Sequence, residues 1–257
     1  LRPILLGRMD VSMISSGASL VGSAANNARW EFNVQDGASL TKNNDGTYDY
    51  VRGTYPAVTS PWNKVLFTFD RRDETDIYVQ FWARKSAGGM PKFVKFYGQN
   101  SGGYANTTFK GADYVNGTID AIGYGDGTGT TNDSQMGVYY DTGRNTDFYT
   151  GRAGALTRSF VNGGKFDVGE WGDGSSWQKF QLRVKFNSGT TALNEVNDGI
   201  VESRINNVVR CRGENIFNRD YSNPPLDKVE FLSYVQGAPA FTMDVRSITI
   251  SKNGWID

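Results

Sequence analysis

Apolar and polar residues alternate most regularly between Asp76 and Lys85, which predicts a β-strand with two distinct faces. One face is apolar, and we expect it to pack in a core. The opposite face combines aromatic rings with side chains that form hydrogen bonds. The apolar residues are Ile77, Val79, Phe81 and Ala83, and the opposite face carries Tyr78, Gln80, Trp82 and Arg84.

The same alternation returns in residues 177–187 and predicts a second strand of this kind. The following Asn197-Asp198-Gly199 is typical of a hairpin turn and leads into a further strand predicted at residues 199–209. The apolar face of the second strand carries Phe180, Leu182, Val184 and Phe186, and its polar face carries Lys179, Gln181, Arg183 and Lys185.

Shorter alternating segments, separated by turn residues, recur along the rest of the chain, and none has the period of an amphipathic helix of ordinary length. Many short strands without helices are typical of an all-β fold, here a two-sheet antiparallel jelly-roll sandwich. The further strands are predicted at residues 30–34, 46–51, 92–97, 136–141, 228–236 and 241–251.

The first part of the chain has a different composition. Residues 12–27 are rich in Ser, Ala and Gly, and order is expected to begin near Trp30. The sequence therefore predicts an N-terminal extension or linker over residues 1–29 and a single sandwich domain over residues 30–257. A length of 257 residues suits one large sandwich.

Charge and composition exclude several classes of function. Lys+Arg and Asp+Glu both number 27, so the chain lacks the basic excess of a general nucleic-acid binder. No stretch approaches the roughly 20 apolar residues of a membrane helix, so no membrane insertion is expected. His is absent, which excludes Ser-His-Asp triads and His-ligated zinc. The lone Cys211 cannot form a disulfide within the chain.

The order of several segments resembles the concanavalin A-like lectin/glucanase superfamily. The resemblance implies two curved antiparallel sheets with a concave face that often holds glycan. Lectins, laminin-G-like modules, glycoside hydrolases and polysaccharide lyases share this fold, and similar domains occur on virus particles. The segments are residues 78–84, residues 92–98 with Gly102-Gly103, residues 177–184, Asn197-Asp198-Gly199 and residues 204–207.

The sequence departs from the enzymatic branches of this superfamily. The acidic run Glu-x-Asp-x-Glu of the glucanases is absent, and its nearest counterpart, Glu195-Val196-Asn197-Asp198, is typical of a hairpin. Hydrolysis needs two carboxylates about 5–9.5 Å apart. Asp141, Glu170, Glu202 and Glu230 do not form a pair on one strand face. The lyase branch often uses His, which this chain lacks.

The polar faces of the two clearest strands are the candidate ligand site. Their rings stack on sugars and their forked donors bind hydroxyls or carboxylates. Three cations among them favour an anionic glycan such as a uronate polymer. Two alternatives stay open, a solvated outer face and a second buried face. The candidate residues are Tyr78, Gln80, Trp82, Arg84, Gln181, Arg183 and Lys185.

The same face could also cleave a uronate by β-elimination. This reaction needs a group that neutralises the carboxylate, a base and an acid. Arg84, Arg183 and Lys185 are the candidates for neutralisation. Tyr97, Tyr139 and Tyr140 are the candidates for base and acid.

A glycine-rich loop predicted over residues 110–134 carries Asp120, Asp126, Asn132 and Asp133. Carboxylate and amide oxygens suit a structural Ca²⁺, although the spacing is not that of an EF-hand. The alternative is an Asx-rich loop whose side chains bond to their own backbone.

These observations favour a domain that recognises a polysaccharide or cell-surface glycan, on a secreted protein or a virus particle. One alternative is a lyase acting on an anionic glycan. Another is a structural coat or decoration module, with homo-oligomer or virion assembly as its partner interaction. A structural module requires a large exposed apolar patch.

Overall fold

The computed structural model describes residues 1–9, 11, 20, 30–58, 61–69, 74–86, 94–98, 119–122, 133–138, 148–150, 157–159, 165–170, 175–185, 188, 196, 198–216, 226–232 and 239–256. These residues form strands and no α-helix. The strands are β1 (Ile4–Arg8), β2 (Trp30–Gln35), β3 (Ser39–Asn44), β4 (Asp49–Tyr55), β5 (Trp62–Thr68), β6 (Asp76–Lys85), β7 (Val94–Gly98), β8 (Ile119–Ile122), β9 (Asp133–Val138), β10 (Phe148–Thr150), β11 (Thr157–Ser159), β12 (Lys165–Glu170), β13 (Gln178–Lys185), β14 (Gly199–Ile205), β15 (Val208–Ile216), β16 (Leu226–Phe231) and β17 (Phe241–Lys252).

The described strands form two main antiparallel sheets and one small sheet. The large sheet has the order β11-β10-β15-β14-β13-β6-β17-β4-β3, and β1 pairs with β17 beside this path. The second sheet has the order β2-β5-β16-β7, and the small sheet has the order β12-β9-β8. The all-β antiparallel sandwich expected from the sequence is confirmed.

The segment with the most regular alternation, β6, lies inside the large sheet between β13 and β17. Its apolar side chains are buried, and the aromatic and polar side chains between them are half-buried. The alternation of apolar and polar residues therefore corresponds to a buried face and a half-buried face of one strand, as predicted.

Aromatic contacts join the large sheet to the second sheet. Within the large sheet, the ring of Phe81 on β6 stacks on Phe180 of β13 with centroids 5.5 Å apart. It also meets Phe231 of β16 edge to face at 5.6 Å. Nearby, the hydroxyl of the buried Tyr55 donates to the carbonyl of Leu232 at 2.7 Å. The core therefore lies between these sheets and leaves the opposite face of β6 to the outside.

The N-terminal residues contribute to the sandwich, which differs from the predicted extension. Residues 4–8 form β1, which pairs with β17 from Ile4 opposite Lys252 to Arg8 opposite Thr249. A Cβ added to Gly7 would lie 2.3 Å from Phe67. Only glycine therefore lets this strand approach the buried ring so closely. The Ser-rich residues 12–19 lie outside the described residues.

Two other local predictions need correction. The strand predicted at residues 199–209 is interrupted by Asn206 and Asn207, whose positive φ angles of 52° and 66° make the turn between β14 and β15. The loop predicted over residues 110–134 contains all of β8 and the start of β9, which pair with each other. No helix of the described residues is long and apolar enough to cross a lipid bilayer.

Substitution Gly7→Ala tests the packing of β1. We expect it to lower the free energy of unfolding by about 1–3 kcal/mol, because the new methyl group overpacks against Phe67. Urea unfolding followed by tryptophan fluorescence measures this change. The control Leu5→Ala alters a side chain of the same strand that is 46% exposed, and we expect a change within about 0.5 kcal/mol. Equal stabilities for Gly7→Ala and the unaltered protein would contradict the packing.

Candidate functional site

The outer face of the large sheet brings the two predicted polar strand faces together. Gln181 lies opposite Gln80 and Arg183 lies opposite Tyr78, so both faces point to the same side. We call this surface the floor. It comprises Tyr50 and Arg52 on β4, Asp244, Arg246, Thr249 and Ser251 on β17, Tyr78, Gln80, Trp82 and Arg84 on β6, Lys179, Gln181, Arg183 and Lys185 on β13, and Glu202 and Arg204 on β14.

The three cations that favoured an anionic ligand are neutralised by the protein itself. Arg183 forms a two-pronged ion pair with Asp76 at 2.8 and 3.0 Å. Lys185 pairs with Asp198 at 3.0 Å. Arg84 pairs with the carboxylates of both Asp45 and Asp244. The positive surplus expected from these three side chains is therefore absent, because antiparallel pairing and nearby turns place an acid beside each.

Asp244 and Asp45 hold Arg84 in place. The Nε of Arg84 donates to Asp244 at 2.9 Å, and an Nη group reaches Asp45 at 3.0 Å. Arg52 also grips Asp244, at 2.7 and 2.8 Å. The guanidinium of Arg84 lies 4.4 Å from the ring centre of Trp177, which immediately precedes β13. The cluster therefore holds Arg84 of β6 against the ring of Trp177.

Asp45 organises the turn between β3 and β4 and reaches the same cluster. Its carboxylate accepts the backbone N–H groups of Thr47 and Tyr48 at 3.1 and 2.9 Å. It also accepts the indole N–H of Trp177 at 3.2 Å. These hydrogen bonds, the one from Tyr48 most of all, lower the pKa of the Asp45 carboxyl to about 2.

Arg246 differs from the other arginines of this cluster. Three rings surround its guanidinium, with ring centres 3.6 Å away for Tyr48 and 4.8 Å away for both Trp82 and Trp177. Only 8% of the residue is exposed. Burial lowers the pKa of the Arg246 guanidinium, because desolvation disfavours the charged form.

A cleft of about 580 Å³ opens beside Arg246. It lies where β17 changes its partner, since β4 pairs with β17 up to Val245 and β1 pairs with it from Thr249 onward. A β-bulge in β17 falls between these two positions. Its lining includes Arg8, Tyr48, Trp82, Lys179, Arg246 and Thr249.

Residues 254–256 cover the centre of the floor beside this cleft. The ring of Trp255 meets Tyr78 edge to face at 4.9 Å, and Arg204 lies 5.5 Å from its ring centre. Gln80 donates a hydrogen bond to the carbonyl of Ile256. Burial, as the largest effect, raises the pKa of Tyr78. In this structure the cleft is therefore the open part of the floor, and the row at Tyr78 is covered.

The other predicted site residues lie elsewhere. The backbone of Tyr97 belongs to β7 in the second sheet, so the structure does not bring it together with Arg84 and Arg183. The backbones of Asp120 and Asp133 lie in β8 and β9 of the small sheet. The catalytic and Ca²⁺ roles of these residues stay predictions. Tyr139, Tyr140, Asp126 and Asn132 lie outside the described residues.

Sequence reasoning missed Arg246, Tyr48 and Trp255. A signal for Arg246 was present, because the apolar positions of β17 are odd-numbered up to Val245 and even-numbered from Ile248. Such a change of phase is typical of a β-bulge, and bulges often lie next to functional sites. Tyr48 and Trp255 lie outside any strand, where periodicity carries no information.

Substitution Asp45→Asn should make the protein less stable at pH 7, because the lowered pKa means that the folded state favours the carboxylate. That stability is present above about pH 4 and is lost as the pH falls through about 2. The difference in unfolding free energy between the two proteins should therefore shrink between pH 4 and 2.

Urea unfolding across this pH range measures the difference. Thr47→Ala is the control, since it alters the same turn without removing a titratable group, and its effect should be independent of pH. A constant difference for Asp45→Asn would contradict a role for the carboxylate charge.

Comparisons with known proteins identify the fold. No family model and no curated protein matches the sequence. An alginate lyase of Chlorella virus superposes with a TM-score of 0.53 and 11% identity, over 97% of this chain and all of that chain. The alginate lyase Aly36B gives a TM-score of 0.53 and 14% identity, over 97% and 98% of the two chains. A variant of Aly36B in complex with an alginate tetrasaccharide gives 0.52 and 16%, over 95% of each.

At these identities the comparisons show the fold alone, over almost the whole chain. The protein has the concanavalin A-like jelly-roll β-sandwich that these lyases have, as its sequence predicted.

Proposed function

We propose that this protein recognises a polysaccharide, with the floor as the binding surface and the cleft beside Arg246 as its open part. The single observation that carries the proposal is the grouping of aromatic rings and forked donors around a cleft of about 580 Å³. Ligand sites combine apolar walls with a few well-placed polar groups, and this cleft has both.

The rings of the cleft suit a sugar. Sugar rings have apolar faces that pack on aromatic side chains and polar edges that need hydrogen bonds. Tyr48 is 41% exposed and Trp82 is half-buried, so both rings are within reach of a ligand. Lys179 on β13 lies opposite Trp82, and Gln80 is two residues from Trp82 along β6. The extended array of such groups favours a polymer over a single sugar.

The fold supports the same proposal. Proteins that share it are described as alginate lyases, and one of them was solved with an alginate tetrasaccharide. A ligand on the outer face of the large sheet would also leave the core undisturbed, because the apolar side chains of β6 and β13 point the other way.

A second candidate function is β-elimination from a uronate polymer, and one group of side chains favours it. Gln181 is 2% exposed, its amide N–H donates to Gln80 at 3.5 Å, and its Oε1 is an acceptor without a donor among the described residues, which suits a sugar hydroxyl. Its neighbours are Gln80 and Arg183, and the guanidinium of Arg183 lies 4.9 Å from the ring centre of Tyr78. In a balanced elimination the Tyr78 oxygen would take the C5 proton while its hydroxyl proton passes to the leaving oxygen, so the C5–H and C4–O bonds break as the double bond forms. Arg183 would neutralise the uronate carboxylate only after it leaves Asp76. Trp255 would have to leave Tyr78 first.

The third alternative, a structural module without a ligand, required a large apolar patch. The exposed aliphatic residues among those described are Leu1, Ile4 and Leu5 near the start of the chain, and Val58, Val196 and Val208 at separate places along it. Scattered exposed apolar residues are normal on a protein surface. The described residues therefore do not favour a structural module over a domain that binds a ligand.

Substitutions Tyr48→Ala and Trp82→Ala test recognition. We expect each to weaken polysaccharide binding about tenfold, since a lost ring contact costs roughly 0.5–1.5 kcal/mol beyond the buried area. Affinity electrophoresis in gels that contain a panel of neutral and anionic polysaccharides measures the retardation. Trp62→Ala is the matched control, because it removes an indole from β5 of the second sheet. Equal retardation of all three variants would contradict a site at the cleft.

Incubation with uronate polymers tests the second candidate. Elimination creates an unsaturated end, so we expect ultraviolet absorbance to rise with the unaltered protein. Tyr78→Phe keeps the ring and removes the proton, and it should slow the rise by about 10²–10⁴-fold. Tyr50→Phe is the control within the floor. A flat trace across the panel would exclude elimination of these polymers and leave recognition standing.

A further inference from the structure

Arg246 is a buried cation that forms no ion pair with a described carboxylate, and the nearby Asp45 acts on it only through its charge. The other two arginines of its cluster, Arg52 and Arg84, share Asp244, and Arg84 also pairs with Asp45. The Nε of Arg246 is buried without a hydrogen-bond partner among the described residues. Its one hydrogen bond there is a long one, 3.5 Å, to the hydroxyl of Ser247. Burying a charge without a partner is costly, so this arrangement needs an explanation.

The bulge in β17 is the backbone feature that places Arg246. Arg246 lies opposite Trp82 and Thr249 lies opposite Gln80, so β17 has one more residue than β6 over this stretch. The extra residue falls at Ser247, whose φ is 54°. The left-handed region is unfavourable for serine, and bulges recur where a strand must direct a side chain. The strained turn therefore keeps both Arg246 and Thr249 on the floor.

The surrounding rings contact the guanidinium of Arg246, which also lines the cleft. A ring centre 3.6 Å from the guanidinium carbon, as for Tyr48, places the cation over the aromatic face. Such a contact engages the charge and the plane of the group, but it accepts none of its N–H hydrogens. These hydrogens lie in the guanidinium plane and form two parallel hydrogen bonds with a carboxylate.

Other charges along the cleft have the same sign. Arg8 and Lys179 line it together with Arg246, and no described carboxylate pairs with either of them. Asp49, the one acid among the described residues of the lining, is paired with Lys42 at 3.3 Å. Trp82 lies between Lys179 and Arg246 in one cross-strand row. Among the described residues that line the cleft, the charges without a carboxylate partner are therefore all positive, and they lie beside an aromatic ring.

We propose that the cleft binds the carboxylate of a uronate unit within a polysaccharide, with Arg246 as the two-pronged donor. The sugar ring packs against Tyr48 and Trp82, and Lys179 and Arg8 attract the anionic chain. This inference rests on the proposed function and names its ligand class. It also moves the recognition of charge away from Arg84, Arg183 and Lys185, whose own carboxylate partners already neutralise them.

The test uses matched pairs of ligands. Hexamers of mannuronate, guluronate, glucuronate and galacturonate are compared, by titration calorimetry at fixed salt, with the same hexamers after reduction of the carboxyl groups to hydroxymethyl groups. At least one uronate hexamer should bind about 10- to 100-fold more tightly than its reduced form, because charge-assisted hydrogen bonds are strong. This arm needs no variant, so it remains decisive if a substitution prevents folding.

Variants assign the effect to Arg246. Arg246→Gln should remove the preference for the carboxylate, and Arg246→Lys should recover only part of it, since lysine keeps the charge without the planar fork. Arg212→Gln is the control, because Arg212 lies on β15 of the same sheet and pairs with Glu202 and Glu214. It removes the same charge three strands away from the cleft's Trp82, and it should keep the preference.

The outcomes separate the two proposals. Binding of no hexamer and no longer polysaccharide would overturn recognition itself. Equal binding of uronate and reduced hexamers, or a preference that survives Arg246→Gln, would overturn the carboxylate site and leave recognition intact. Tighter binding of a sulfated hexamer than of every uronate would overturn the carboxylate as the ligand group.

Discussion

The antiparallel pairing of β6 between β13 and β17 is the constraint on which the rest of this structure depends. Because side chains alternate along a strand, this pairing directs every apolar residue of β6 to the core. It aligns the polar residues of all three strands on one outer surface. The position of the floor and the position of the core are thus two consequences of one register, and a slip of one residue would exchange them.

Ion pairing within the floor has a further consequence. Antiparallel neighbours place Arg84 opposite Asp244 and Arg183 near Asp76, so most cations of this surface are already satisfied. An array of paired charges attracts a polyanion only weakly, because each pair is nearly neutral at a distance. Among the described residues, Arg246 is one exception, and it lies where a bulge interrupts the regular register. Irregularity in the strand, and not the count of basic residues, distinguishes the cleft from the remainder of the floor.

In the covered part of the floor, residues of the chain itself would compete with a ligand for the same contacts. Trp255 and the carbonyl of Ile256 occupy Tyr78 and Gln80 with the same kinds of contact, ring to ring and amide to carbonyl, that a sugar would make. A ligand that extends from the cleft along β6 would have to displace these residues. Binding at the cleft requires no such displacement, which is why recognition and cleavage make different demands on this surface.

The alternation in the sequence determined the strands β6 and β13, their apolar faces and the all-β sandwich, because burial of one face follows directly from a period of two. It also indicated that Tyr78, Trp82 and Gln181 share a surface. Only the tertiary structure decided which cations of that surface lack a carboxylate, since the partners Asp76, Asp198 and Asp244 come from turns and strands distant along the chain. It likewise decided that β1 joins the sheet and that three rings from separate segments surround Arg246. Charge balance and ring contacts depend on distances in space, and a period along the chain carries no record of those distances.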